Sequence, residues 1–360
     1  MVTLFGRSWT KDEIMRRVGS LSQVGGVRVS ALEDGATRGV RVAEVETGSG
    51  LSFVVLLDRG MDIGACKYRG AALAWESTVG PVHPSYAERP GLGWLRTFHG
   101  GLIAGCGLTT AGAPSVDEGQ ELGLHGRLSL LPASEVWASG AWRGDTYEMW
   151  VRGKMRETGV FAENLTLTRR IWANLGESRL CVRDLVANEG FEPAPHMILY
   201  HVNFGFPLLD EGTELIAPSR RVTPRDAVAA PGLDGHARYE APIVGYQEQV
   251  FYHDMAPSDD GYVTVLLANR GFDGGRGLGI SLRYRQAELP RFTQWKMVGA
   301  GTYVTGLEPG NCLVEGRDKD RARGILQFLE PGEQREYLLE IGVLDGVSAI
   351  DAAVATLPTP

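Results

Sequence analysis

The stretch "NLTLTRRIWANLGESRLCVRDLVANEG", Asn164 to Gly190, decides the fold. It reads as two alternating strands around the turn "NLGES", the period of two that marks a sheet with distinct faces. The same period recurs on both sides. "VRVAEVET" (Val40 to Thr47) alternates, "GSG" turns the chain, and "LSFVVLLDRG" (Leu51 to Gly60) is a compact apolar run. Downstream, "YVTVLLANRG", "GISLRYR", "QWKMVGAGTYVTGLEP" and "GILQFLEPGEQREYLLEIGVL" continue the pattern. The 48 glycines fall at turn positions between strands, with no linker-like mass and no fixed-period repeat. Many short strands with regular turn signals predict an all-β fold, a sandwich or barrel, as one large domain over residues 1–360. Helix is expected only at the ends. Thr10 and Glu13 form a capping box for a short helical extension over 8–20, stopped by Gly19, and "VSAIDAAVATLPTP" adds one short helix.

A second stretch carries the chemical signal. In "HMILYHVNFGFPLLDEG" (His196 to Gly212), alternation puts Ile198, Tyr200, Val202 and Phe204 on one face. Met197, Leu199, His201 and Asn203 share the other. An imidazole and an amide side by side on a strand otherwise fit for a core require a purpose.

Composition narrows the field. Net charge is −8 and no long basic run is present, which argues against nucleic acid or an anionic membrane as partner. No stretch reaches the roughly 18 apolar residues of a membrane span, and the N-terminus lacks a secretory apolar core. The four cysteines, Cys66, Cys106, Cys181 and Cys312, are far apart and are read as reduced and buried. A soluble cytoplasmic protein is expected, with homo-oligomerisation open. There is no phosphate loop, no dinucleotide glycine fingerprint and no nucleophile elbow.

Of the seven histidines, His125 lies in "ELGLHGRLSLLPASEVW" between glycines and ahead of Arg127, and His99 lies in "WLRTFHGGLIAGCGL" after Arg96. His196 reads as a strand-entry residue and His236 as a loop residue. Only His196 and His201, five apart, are close in sequence, and alternation puts them on opposite faces. No zinc-type spacing occurs, although ligands from separate strands leave a divalent metal open. Glu308, in "GTYVTGLEPGN", ends an apolar strand, as either a surface acid or a base aimed into a cleft. Asp62, in "LLDRGMDIGACKYRG", reads more simply as an Asx-turn.

Three of these segments resemble the galactose mutarotase-like, or aldose 1-epimerase-like, superfamily. The closer resemblance is to its bacterial branch labelled as a domain of unknown function, DUF4432. "GLHGRLSLLPASEVW" is similar to the histidine-glycine segment of sugar mutarotases. "LYHVNFGFPLL" is similar to their "NH-x-YFNL" strand, and "YVTGLEPGN" to their C-terminal "LEP" strand. "WLRTFHGGL" is more distantly similar to the segment that supplies a sugar-binding arginine. Order and spacing agree roughly from Asp58 to Leu344, but the segment from "DRGMDIG" through "HPSYAERPGLGWLR" has no counterpart in ordinary mutarotases.

The resemblance implies a large twisted antiparallel β-sandwich with a sugar cleft. It implies His201 as general acid, Glu308 as general base, and His125 as a group that positions the sugar. Arg96, Arg127, Asn203 and His99 become candidate substrate contacts, and Trp75, Trp94 and Trp295 candidate stacking platforms. Gln294 and Lys296 alternate with Trp295 and would face the cleft only if Trp295 does not. The implied activity is mutarotation of a small-molecule sugar, with acid and base on opposite sides of the hemiacetal and no cofactor required. Two other classes stay open: an isomerase, epimerase or lyase acting on a keto-sugar with the same pair, with a metal or an oxyanion clamp from His83, His125 or Arg96, and a non-catalytic carbohydrate-binding protein.

Overall fold

A computed structural model describes residues 1–88 and 91–358. These residues form two large antiparallel sheets, of twelve and eight strands, and two small two-stranded ribbons. Nine strands build the site and the core beneath it: β1 (Asp62–Tyr68), β2 (Ile103–Leu108), β3 (Asn164–Asn174), β4 (Arg179–Asn188), β5 (Ala194–Gly205), β6 (Gln249–Met255), β7 (Arg291–Gly299), β8 (Thr302–Gly310) and β9 (Gln334–Asp345). The larger sheet runs β6, β7, β8, β5, β2, β1 through its middle, and the smaller has β3, β4 and β9 at its centre. The stretch Asn164 to Gly190 is the hairpin β3–β4, paired from Leu165↔Asn188 to Trp172↔Cys181.

The alternation in β5 sorts side chains into two compartments. Ile198, Tyr200, Val202 and Phe204 enter the main core, where they meet Leu167, Ile171, Val182 and Leu339 of the opposing sheet. Met197 and Leu199 point the other way, into a smaller apolar cluster with Trp94, Phe98, Ala104, Cys106 and Cys312. His201 and Asn203 lie on this second side. A strand buried on both faces has no solvated side, so its polar residues must find partners inside the protein.

A fully buried polar network ties the sheets together. Arg169 of β3 grips Asp184 of β4 through two hydrogen bonds of 2.8 and 2.6 Å. Tyr200 of β5 donates to the same carboxylate at 2.7 Å. Asp62 of β1 lies 3.8 Å from Arg169 and accepts hydrogen bonds from the Gly105 N–H and the Ser129 hydroxyl. Burial pushes the Asp62 carboxyl up to about 6, against the opposing pull of Arg169. Asp62 is therefore a buried acceptor for distant partners and not an Asx-turn residue.

The N-terminal helix is shorter than the sequence suggests. Thr10 and Glu13 do form the capping box, but the helix covers only Lys11–Met15, because Ile14 is its one buried side chain. The C-terminal helix, Val347–Val354, forms as expected. All four cysteines are free and buried. Among the described residues no helix is long and apolar enough to cross a membrane.

Removing one member of a buried ion pair leaves an uncompensated charge, which typically costs about 3–5 kcal/mol. Arg169→Leu should lower unfolding free energy by that amount in urea titrations. A loss below about 1 kcal/mol would show that the network is not what holds the sheets together.

Candidate active site

The register of the larger sheet assembles the site one rung at a time. The pairs Leu199↔Gly310 and Val202↔Leu307 set His201 of β5 opposite Glu308 of β8. Glu308 pairs in turn with Thr293 of β7, and His201 with Ala104 of β2. On the next rung Asn203 pairs with Gly306, and Gly306 with Trp295. Two residues more than a hundred positions apart thus meet because adjacent strands put them on one face.

The contact is direct. His201 Nε2 lies 3.2 Å from Glu308 Oε1, and both side chains are almost wholly buried. His201 Nδ1 lies 2.5 Å from Asn203 Oδ1. Burial pushes the Glu308 carboxyl up to about 8, and the nearby Glu248 adds to the rise. Burial also brings His201 down to about 4, partly offset by its bond to Asn203. Gly306 makes this contact possible: a Cβ there would stand 2.5 Å from Glu308 Oε1 and 3.3 Å from the His201 ring.

The pair lies at the floor of a cavity of about 620 Å³, within the roughly 300–1,000 Å³ typical of small-molecule sites. Its walls are aromatic. Trp75, Trp94, Phe98 and Trp295 line it, with Trp94 and Phe98 stacked at 4.4 Å and Trp75 edge-on to Trp295 at 6.2 Å. All three candidate stacking tryptophans therefore reach the cleft.

His125 reaches it from a tight loop. Its φ is +56° and that of Gly126 is +75°, and a Cβ on Gly126 would meet the Thr110 carbonyl at 2.3 Å, so this position demands glycine. The imidazole stands 5.6 Å from that of His201, ring to ring, and burial with His201 nearby lowers it to about 3. The Gly112 N–H points at its Nδ1 from 3.4 Å, which leaves Nε2 to carry the proton. His125 is thus a neutral imidazole with an N–H available to the cleft.

Other expected contacts lie elsewhere. Arg96 is exposed and paired with Glu88 at 3.3 Å, outside the cleft lining. Arg127 faces Glu163 at 3.7 Å in a separate, smaller cavity. His99 is buried and absent from the cleft lining, and burial holds its imidazole neutral. Because Trp295 faces the cleft, Gln294 and Lys296 face away. The Gln294 amide nitrogen donates to the His236 carbonyl and the Tyr239 hydroxyl, and its oxygen meets His253. The Lys296 ammonium binds the carbonyls of Gly235 and Arg238 and the Glu240 carboxylate. Asn203 is fully buried and also lies outside the cleft lining; it holds His201.

His196 bonds the Tyr337 hydroxyl at 2.7 Å on the core side, so the two histidines of β5 do occupy opposite faces. His83 caps a short 3₁₀ turn. Among the described residues no group of three or more His, Cys, Asp or Glu side chains is placed to hold a metal ion.

Six polar lining residues escaped the sequence reading: Ser77, Thr78, Arg225, Glu248, Thr293 and Thr302. Thr293 is buried with its hydroxyl unpartnered, and its place two residues before Trp295 was the available signal. Arg225 and Glu248 lie 3.4 Å apart in the lining, and Glu248 also accepts from the Trp295 indole N–H at 2.8 Å. Nothing in "TPRDA" or "GYQEQV" separates these two from ordinary loop charges.

Gly306→Ala should force Glu308 away from His201. The expected cost is about 1–3 kcal/mol from overpacking, measured by thermal unfolding, together with a longer His201–Glu308 separation in a crystal structure of the variant. An unchanged separation would refute this role for Gly306.

A family model described as a domain of unknown function (DUF4432) matches residues 37–343, and the chain belongs to that family. No curated protein matches the sequence. The fold is galactose mutarotase-like. The structure of a candidate aldose 1-epimerase from Klebsiella pneumoniae is similar over 94% of this chain and 89% of that one, with 26% identity and a TM-score of 0.88. A galactose mutarotase-like protein from Clostridium acetobutylicum superposes over 90% of this chain and 99% of its own, with 11% identity and a TM-score of 0.62. One from Lactobacillus casei gives 84% and 99%, with 14% identity and a TM-score of 0.55.

Proposed function

We propose that this DUF4432 chain is an aldose 1-epimerase-type isomerase that interconverts the anomers of a sugar, with His201 and Glu308 as its proton-transferring pair. The carrying observation is the 3.2 Å contact between the two groups at the floor of an aromatic cleft. Anomer exchange through an open chain requires one proton to leave the C1 hydroxyl and another to reach the ring oxygen. Both oxygens are bonded to C1. An acid and a base side by side on one wall can therefore serve them together, and an arrangement on opposite sides of the hemiacetal is unnecessary.

The environment suits such a pair. The active form holds one transferable proton between imidazole and carboxyl, so each group can give or take it in turn. The tryptophan walls offer apolar faces to sugar C–H groups, while His125 and Thr293 offer polar contacts close to the pair. Mutarotation needs no electron carrier, and the step is balanced by the two side chains alone.

The test is proton NMR of anomers and of C2–C5 positions in D₂O with a panel of aldoses and keto-sugars. Faster α/β exchange without deuterium entering carbon is expected. Deuterium at carbon or a new double bond would overturn this reading in favour of an isomerase or lyase, and binding without turnover would favour a lectin-like protein. His201→Ala and Glu308→Gln should each slow exchange on the order of 10²–10⁴-fold.

The rate should be level between about pH 4 and about pH 8. Below that window His201 takes up an extra proton and the base is lost. Above it Glu308 gives up its proton and the acid is lost. A rate still rising through pH 9 would contradict this proton count.

A further inference from the structure

We propose that Asn203 fixes His201 in the Nδ1–H tautomer, so that the imidazole meets the sugar as a proton acceptor at Nε2 and Glu308 meets it as the donor. This starting assignment is the reverse of the roles that the mutarotase resemblance implies. It rests on the function proposed above and adds a positioning residue and a proton order to it.

Hydrogen-bond directions carry the inference. The Asn203 amide nitrogen lies 3.1 Å from the Gly101 carbonyl oxygen and 2.9 Å from that of His201. Carbonyl oxygens only accept, so the NH₂ group must be on that side and Oδ1 must face the imidazole. Oδ1 also only accepts. Its 2.5 Å contact with His201 Nδ1 is a hydrogen bond only if Nδ1 carries the hydrogen. A neutral imidazole has one N–H, which leaves a bare lone pair on Nε2. That lone pair faces Glu308 Oε1, a buried atom with no other hydrogen-bond partner among the described residues. A carboxylic O–H donating to Nε2 satisfies both atoms, whereas a carboxylate facing a bare lone pair satisfies neither.

The surroundings agree with this assignment. Burial raises Glu308 and lowers His201, favouring the neutral acid beside the neutral base. The other ionisable groups facing the pair are His125 on its loop, held neutral, Arg225 and Glu248 at the lining, and the buried thiols of Cys106 and Cys312. Arg225 is itself engaged by Asp226 at 2.7 Å and Glu248 at 3.4 Å.

The resulting step balances. Nε2 takes the proton of the C1 hydroxyl, whose oxygen forms the C1 carbonyl. The bond from C1 to the ring oxygen breaks with its electron pair on that oxygen, which takes the Glu308 proton. The pair is then imidazolium and carboxylate. After rotation about C1–C2, the freed hydroxyl attacks C1, its proton returns to Glu308, and the imidazolium protonates the carbonyl oxygen.

Nitrogen-15 NMR of the intact, labelled protein tests this without substrate. The His201 signals can be assigned by their loss in His201→Gln. At pH 6 the native protein should show pyrrole-type Nδ1 and pyridine-type Nε2. A protonated Nε2, alone or with Nδ1, would overturn the proposal. Asn203→Asp should shift the imidazole titration to higher pH than in the native protein, and an unmoved titration would count against the contact. Asn203→Leu should mix the tautomers and slow anomer exchange by about 10- to 100-fold, as is usual when a supporting partner is lost, with little change in KM. If that variant does not fold, the native and Asp measurements still decide. Absence of anomer exchange in the native protein would defeat the function while the tautomer was measured regardless; exchange with a protonated Nε2 would keep the function and defeat the inference.

Discussion

The Arg169–Asp184 pair is the constraint on which the cleft depends, although neither residue touches it. Buried guanidinium and carboxylate groups require partners, and here the partners belong to both sheets. Tyr200 reaches across to Asp184 from the core face of β5, so its neighbour His201 is turned to the opposite face. Asp62 extends the network to the Gly105 N–H of β2 and to Ser129, which follows the His125 loop. Fully buried Arg59 completes it with hydrogen bonds to the carbonyls of Val82, Thr97 and Ser129. Thr97 sits between the cleft aromatics Trp94 and Phe98. The same charges that join the sheets thus set the loops that wall the site.

This arrangement separates compensated from uncompensated buried polarity. Around Asp184 every buried charge is met by hydrogen bonds, and Arg169 and Asp184 also by each other's charge. At Glu308 no cation among the described residues makes contact, and burial acts on the carboxyl nearly unopposed. A lysine or arginine against Glu308 would hold it ionised and remove a proton donor at neutral pH. The three expected cations are instead committed elsewhere, Lys296 to carbonyls and Glu240, Arg96 to Glu88 and Arg127 to Glu163.

Much of this was legible in the sequence, and what was not follows a physical pattern. Period-two alternation revealed the sheets, the hairpin β3–β4 and the two faces of β5, because side-chain direction on a strand is local. Short motifs at strand positions singled out His201 and Glu308, which the fold brings to 3.2 Å in the cleft lining. Gln294 and Lys296 were not, because alternation gives two faces without saying which one is the cleft; Trp295 took the cleft and reversed the choice. Asp62 was misread since its partners, Gly105 and Ser129, lie 43 and 67 residues further on. Arg225 and Glu248 acquire meaning only in the fold, which sets Glu248 against the Trp295 indole N–H and Arg225 against Glu248.

The role of Asn203 shows where motif reading stops and geometry takes over. In sequence it is an amide two residues from a histidine, equally able to hold a hydroxyl or a side chain. In the fold its NH₂ group is fixed by two carbonyls, which leaves its oxygen a single function. The direction of those hydrogen bonds then propagates through the imidazole to Glu308. In the mechanism we propose, a backbone carbonyl at Gly101 would thereby determine which of two side chains gives the first proton. That dependence arises from the order of donors and acceptors across three strands, and no single segment of the chain contains it.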